Sequence, residues 1–328
     1  MTQSAETPDA EIPLPAPRAN RPVTLARRAE YALAATLFAF FRLIGLDASS
    51  AIGGFFLRHA GPLVRPIARR GEENLRRAFP EWSEAQVRRT NAAVFENLGR
   101  TAAEFAHLDK LVPGPRVAIE GAERFAAVAD GSGPAIFVSG HFANWETMTI
   151  ALSAARVDYA VVYRAANNPL IDGMIIRMRA RVMSRLQVPK GKRGGRALLD
   201  ALRAGKSLAM LVDQKLNDGI AAPLFGRDAM TAPAAARLSL KFGAPIVPVR
   251  VERVGGARFR IIVHDPIAFT PTGDTTADVH ALTSLVNAQL ERDIRERPDQ
   301  WLWLHRRWPK EDDAAVTPPA DIPPGGRR

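Results

Sequence analysis

From about Leu111 onward the chain alternates short apolar runs with helix-patterned segments, and this alternation restricts the available folds more than any other feature. Residues 135–138, 159–163, 208–212, 246–251 and 259–263 read as strands, bounded by turn-forming residues and rich in Val, Ile, Phe and Tyr. Helical patterns fit between several of them, at residues 147–155, 169–187, 195–204 and 232–242. The expected fold class is α/β, with a mixed, largely parallel sheet flanked by helices over residues 111–308. In such a sheet, reactive groups belong at the carboxyl ends of strands, where the loops converge.

The 328 residues, 47% hydrophobic and 24% charged, exclude a wholly disordered, collagen-like or multi-span membrane chain. The absence of cysteine excludes disulfides, thiolate-ligated metals and cysteine nucleophiles together. A net charge of +11 points to an anionic partner. Between Arg156 and Lys206, twelve Lys and Arg face only Asp158, Asp172 and Asp200, a local charge of +9. A solvated basic face accounts for such a run as well as an anion-binding surface does.

Proline-rich residues 1–22 and the tail 309–328 carry too little apolar surface to offset the entropy of ordering, and are expected to be disordered. Residues 23–110 read as a helical, membrane-associating region. Within it, residues 31–46 form the most apolar stretch of the chain, behind Arg27 and Arg28 and interrupted by Arg42. As a helix it would reach about 24 Å, short of the roughly 30 Å hydrocarbon core, so it either just spans a bilayer or lies along its surface. A second apolar patch, residues 51–57, is followed by Arg58, Arg65, Arg69 and Arg70, an arrangement suited to an interface. A buried core helix and a cleaved signal peptide are the rival readings.

The segment Ser139-Gly140-His141-Phe142-Ala143-Asn144-Trp145-Glu146 follows one predicted strand and opens a helix. His141 thus stands at a strand's carboxyl end. Across the strand-to-helix turn, Glu146 is expected to fold back onto one imidazole nitrogen, fixing the tautomer and leaving the other as a base. Gly140 permits an unusual backbone angle beside the histidine, and Trp145 lowers the local dielectric. A turn stabilised by these two side chains, without chemistry, is the bland alternative. Asp213 follows another predicted strand, and Arg164 ends a third.

These residues carry a resemblance. Gly-His-Phe-Ala-Asn-Trp-Glu at 140–146, Val162-Tyr-Arg164 with Asn167-Asn-Pro-Leu170, Asp213-Gln214, and Trp301-Leu-Trp-Leu-His-Arg-Arg-Trp308 occur in the order of the late acyltransferases of lipid A biosynthesis. That family lies within a wider glycerolipid-acyltransferase-like superfamily, and the likeness extends from about Arg27 to Pro309. The resemblance implies transfer of a fatty acyl chain from an acyl carrier protein to a hydroxyl on a lipid A precursor. It implies His141 as general base, Glu146 as its orienting carboxylate, Arg164 and Asp213 in substrate contact or charge stabilisation, and Asn144 and Asn167 as further substrate-binding residues. No cofactor is implied beyond the carrier-linked thioester. The implied setting is the inner membrane with a cytoplasmic catalytic face, and the implied partners are the carrier, an anionic glycolipid and the membrane surface. Ala222-Pro-Leu-Phe-Gly226 and Met230-Thr-Ala-Pro233 stand where the family has Pro-Phe-Phe-Gly and a Thr-rich segment.

Asn168-Pro169 is a good helix start, and Ile171, Ile175, Met178, Val182 and Leu186 recur at helical spacing with arginines elsewhere on the wheel. Lys190-Gly-Lys-Arg-Gly-Gly-Arg196 offers four cations on a flexible loop, so Lys192 and Arg193 join the substrate-binding candidates. Trp301, Trp303 and Trp308 serve either core packing or a seal near the acyl site. Ser139, beside His141, is the one serine placed to relay an acyl group. No G-x-S-x-G elbow, P-loop, H-E-x-x-H or nucleic-acid-binding motif is present, so no metal site or nucleic-acid partner is expected. A different glycolipid or glycerophospholipid acceptor and a non-catalytic membrane adaptor remain the alternative functions.

Overall fold

The computed structural model describes residues 22–308, so the expectations of disorder in the tails fall almost wholly outside the described residues. Seven strands form the main sheet: β1 (Val117–Glu120), β2 (Ile136–Ser139), β3 (Tyr159–Tyr163), β4 (Gln187–Pro189), β5 (Ser207–Leu211), β8 (Ile246–Gly255) and β9 (Arg258–Val263). Their order is β1-β9-β8-β2-β5-β3-β4, and every pairing is parallel except the β8–β9 hairpin. β2, β3 and the first part of β8 are buried as continuous runs, the pattern of strands covered on both faces. The mixed, largely parallel sheet expected from the alternation is therefore present. A separate antiparallel pair, β6 (Ile220–Leu224) and β7 (Arg227–Thr231), lies outside it.

Helices α5 (Ala122–Ala129), α6 (Glu146–Ala154), α7 (Pro169–Arg179), α8 (Lys192–Arg203), α9 (Ala234–Phe242) and α10 (Thr275–Glu296) connect and flank these strands. Two of them differ from the sequence expectation. α7 ends at Arg179, so Val182 and Leu186 lie beyond it, because residues 187–189 are drawn into the sheet as β4 alongside β3. The glycine-rich 190–196 segment is not a loop: α8 begins at Lys192. Gly194 is there for close packing, since a Cβ would sit 2.0 Å from the Pro189 carbonyl oxygen.

Ahead of the sheet, α1 (Leu25–Ile44), α2 (Leu46–Ala60), α3 (Arg65–Ala78) and α4 (Glu84–Glu104) form a helical layer. The apolar stretch 31–46 is not one helix: Gly45, at φ +82°, turns the chain from α1 into α2. The fully buried imidazole of His107 bonds the Phe41 carbonyl at 2.9 Å and Ser49 Oγ at 3.1 Å, pinning that corner. Burial holds His107 below the ordinary imidazole pKa. No described helix is long and apolar enough to cross a membrane.

α4 opens with a Ser83–Gln86 capping box and packs directly on α2. A Cβ on Gly99 would lie 2.1 Å from the Gly53 carbonyl oxygen, so this crossing requires glycine. At its other end Glu104, fully buried, pairs with Arg253 of β8 and accepts from Ser50 Oγ at 2.7 Å and Asn144 Nδ2 at 2.9 Å. This cluster ties the helical layer, the sheet and the turn after β2 together. Glu104→Ala leaves Arg253 buried and uncompensated, so a loss of about 3–5 kcal/mol in unfolding free energy is expected by chemical denaturation; a loss below about 1 kcal/mol would show that the cluster is not structural.

Candidate active site

Four neighbouring parallel strands end together, and the register of their pairing decides which side chains meet. Ser139 of β2 pairs with Leu211 of β5, and Tyr163 of β3 pairs with Pro189 of β4. His141 and Asp213 each lie two residues beyond the first pair, while Arg164 and Lys190 each lie one beyond the second. The carboxyl ends of β2, β5, β3 and β4 thus present His141, Asp213, Arg164 and Lys190 in spatial order.

His141 Nδ1 lies 2.8 Å from Asp213 Oδ1, and the His141 backbone N–H donates to Asp213 Oδ2 at 2.7 Å. Trp301 Nε1–H donates to the same Oδ2 at 2.8 Å. Burial alone would raise the Asp213 carboxyl, but the positive charge available on His141 and these hydrogen bonds outweigh it. Asp213 is held well below the usual carboxylate range and is ionised at neutral pH. With Nδ1–H donated to a fixed carboxylate, Nε2 carries the free lone pair. It lies 3.4 Å from Gln214 Nε2, and the Trp145 ring packs edge-on to the imidazole at 5.0 Å between centroids.

The carboxylate bonded to the imidazole is therefore Asp213, and the expected Glu146–imidazole contact is not made. Glu146, buried in the first turn of α6, faces α7, where Arg179 Nε donates to its Oε2 at 2.9 Å and Arg179 Nη2 bonds Oε1. A carboxylate so engaged by a planar guanidinium is directed away from the ring. Both nonetheless line one cavity of about 210 Å³, with Arg164, Lys190 and Gln214. Its floor is apolar, running past Met148 to the paired residues Val161 and Ala209 on the sheet. Arg164 is exposed at the rim and forms no ion pair among the described residues. Partial desolvation lowers the Lys190 ammonium pKa, with Asp213 opposing the shift and Arg164 reinforcing it.

The turn carrying His141 owes its shape to Ala143 rather than Gly140. Ala143 adopts φ +44°, a left-handed angle that costs a residue with a Cβ about 1–3 kcal/mol. Its carbonyl is held by Thr101 Oγ1 at 2.8 Å and Asn97 Nδ2 at 3.1 Å, both from α4, and its N–H donates to the Gln300 carbonyl at 2.9 Å. Gly140 instead supplies room: a Cβ there would meet Phe142 at 2.8 Å and Asp213 Oδ2 at 3.2 Å.

Several expected site residues lie elsewhere. Asn144 is fully buried, donates to Glu104 and accepts from the Glu146 N–H, and does not line the cavity. Asn167 is exposed before α7 and does not line the cavity. Asn168 caps α7 and also donates to the Arg27 carbonyl at 2.8 Å and to Glu30 at 3.0 Å, fastening α7 to α1. Ser139 is 1% exposed, bonds the Gly140 carbonyl through its hydroxyl, and does not line the cavity. Lys192 and Arg193 open α8, and their side chains lie outside the description. The three C-terminal tryptophans are core residues, and the segment bearing them lies across the site, with the Leu302 N–H donating to the His141 carbonyl at 3.2 Å. Thr231 is a support: its hydroxyl receives Arg307 Nη2 at 2.8 Å and Asn287 Nδ2 at 3.0 Å. Burial pushes the Arg307 guanidinium down to about 10, still charged at neutral pH. Arg179 escaped the sequence reading as a site residue, since no local pattern distinguishes it from a surface cation, whereas Lys190 and Gln214 were noted only within the 190–196 cation run and the Asp213-Gln214 motif.

The Asp213–His141 geometry has a spectroscopic consequence. Imidazole ¹⁵N spectra at a pH where His141 is neutral should show Nδ1 protonated and Nε2 bare, unchanged by Glu146→Gln and scrambled by Asp213→Asn. The opposite dependence would restore Glu146 as the orienting group.

Comparison with known proteins places the chain in a family. The chain is 25% identical over 260 residues to the lipid A biosynthesis palmitoleoyltransferase of Escherichia coli K12, covering 76% of this chain and 82% of that protein. It is 28% identical over 249 residues to the lipid A biosynthesis lauroyltransferase of the same organism, covering 72% and 76% respectively. Among solved structures, the 1-acyl-sn-glycerophosphate acyltransferase of Thermotoga maritima aligns over 84% of this chain and 99% of that one, with 14% identity and a TM-score of 0.33. The model of the bacterial lipid A biosynthesis acyltransferase family matches residues 21–310. The chain belongs to that family and is an acyltransferase.

Proposed function

We propose that the protein moves a fatty acyl chain from an acyl carrier protein thioester to a hydroxyl of a lipid A precursor, with His141 as general base and Asp213 as its orienting carboxylate. The observation that carries this reading is the His141 ring itself, tied at Nδ1 to an ionised buried carboxylate and turned toward a cavity whose far wall is apolar and whose rim is cationic.

The acceptor hydroxyl gives its proton to His141 Nε2 as its oxygen attacks the thioester carbonyl. The imidazolium so formed is stabilised by Asp213, which stays ionised. Charge on the carbonyl oxygen is met by the donors nearest the rim, Arg164, Lys190 and Gln214. As the C–O bond forms and the C–S bond breaks, the leaving thiolate takes the proton back from Nε2. The acyl chain lies along the apolar side chains of Met148, Val161 and Ala209. Glu146 acts by holding Arg179 in the cavity wall.

The same reading accounts for the exposed apolar residues of the helical layer. Leu33, Leu43, Phe55, Phe56 and Leu63 are each more than 60% exposed, an arrangement with no purpose on a surface facing only water. These exposed apolar residues put α1 and α2 in the membrane interface, among the basic residues that flank them. The catalytic face then meets a lipid acceptor from the membrane and a carrier protein from the cytoplasm.

In vesicles containing a lipid A precursor and supplied with labelled acyl carrier protein, wild type should yield labelled lipid and His141→Ala about a hundredfold less or lower. Phosphatidylglycerol or lysophosphatidic acid as the better acceptor would overturn the choice of lipid. Phe55→Asp with Phe56→Asp should release the protein from those vesicles in a flotation assay, and undiminished flotation would overturn the interfacial placement.

A further inference from the structure

A second cavity, of about 320 Å³ and open to the surface, lies on the other side of the α7 end from the catalytic one, lined by α1, the end of α7 with the residues just after it, and the short 3-10 segment Phe105–Lys110. Phe38, Phe105, Leu108, Met178 and Val182 make its walls apolar. Arg42 and Arg181 line it as well, with Asp109 as the one carboxylate. Asp109 is already engaged, bonded by Arg42 at 2.6 and 2.9 Å. Arg181 is exposed and forms no ion pair among the described residues. The cavity therefore offers an apolar interior beside a free cation.

Two further observations say what such a site faces. Leu33, Leu37 and Phe40 of α1, the helix that forms one wall, are exposed, so the cavity adjoins the surface assigned to the membrane interface. The partition from the catalytic cavity is thin: Arg179, which pairs with Glu146 there, places its guanidinium 5.8 Å from the ring centre of Phe105, a wall of the second cavity. Met178 and Arg179 thus face different cavities from adjacent positions on one helix. α7 is itself fastened to α1 through Asn168.

We infer that this cavity holds an acyl chain already borne by the anionic lipid acceptor, with Arg181 meeting its phosphate, while the acceptor's hydroxyl reaches His141 across the Phe105–Arg179 partition. The inference rests on the acyl-transfer reading and adds a grip on the acceptor distinct from the pocket for the transferred chain. An apolar cavity filled by chain and a cation set against phosphate each favour this occupant over a soluble metabolite.

The test uses the full chain in vesicles with two probes, a lipid A precursor and phosphatidylglycerol, each bearing a diazirine at the end of an acyl chain. Photolabelling by the precursor should fall on Phe38, Phe105 or Met178, and phosphatidylglycerol at equal concentration should label them far less. Equal labelling by both, or labelling by the precursor only around His141, would overturn the inference. Ala39→Trp, which fills the cavity from an exposed position, and Arg181→Glu should each raise the KM for the lipid acceptor about tenfold without raising that for the carrier protein. An unchanged acceptor KM in both would also overturn it. Labelling of this cavity by a precursor that receives no acyl group would instead refute the acyl-transfer reading and leave the lipid site standing.

Discussion

The active site depends on one buried hydrogen bond, from the His141 ring to Asp213. An ionised carboxylate with 4% of its surface exposed is costly unless every nearby donor is turned toward it. Here the imidazole, the His141 backbone N–H and the Trp301 indole all are. That arrangement fixes which imidazole nitrogen faces the cavity, and so decides what the site can do. It requires β2 and β5 to be neighbours in a particular register and the C-terminal segment to close over them.

Much of the remaining structure can be understood as support for that bond. The left-handed Ala143 needed to present His141 is held from α4 and from the chain just before Trp301. α4 is in turn held by the Gly53–Gly99 crossing and by the buried Glu104–Arg253 pair. The helical layer thus has two roles with one geometry. Its inner side stabilises the strained turn that carries His141, and its outer side carries the apolar residues suited to a lipid surface.

Five of the seven main-sheet strands, β2, β3, β5, β8 and β9, were legible from sequence as short apolar runs, several of them separated by helical spacing, a pattern set locally, whereas the edge strands β1 and β4 were not. His141, Arg164 and Asp213 were legible as strand-end residues for the same reason. The partner of His141 was not. Glu146 is close in sequence, and the H-x4-E spacing makes it the obvious choice, whereas Asp213 lies 72 residues away, just past a strand whose adjacency to β2 follows from topology alone. Edge strand β4 was missed because residues 180–189 continue the apolar spacing of α7, and pairing with β3 overrode that local signal. Gly140 and Gly194 were read as sources of flexibility, but each is a point of close contact, which only packing reveals.

We propose that Asp213, and not Glu146, sets the state of the His141 imidazole. The most direct measurement is kcat for transfer from acyl carrier protein to the lipid acceptor in Asp213→Asn and Glu146→Gln, each matched to wild type for folding by circular dichroism. Removing the charge that orients a catalytic histidine costs about a thousandfold or more. Asp213→Asn should fall by at least that factor, and Glu146→Gln should remain at least about tenfold more active than Asp213→Asn. A Glu146→Gln enzyme as impaired as Asp213→Asn, or more so, would contradict the account.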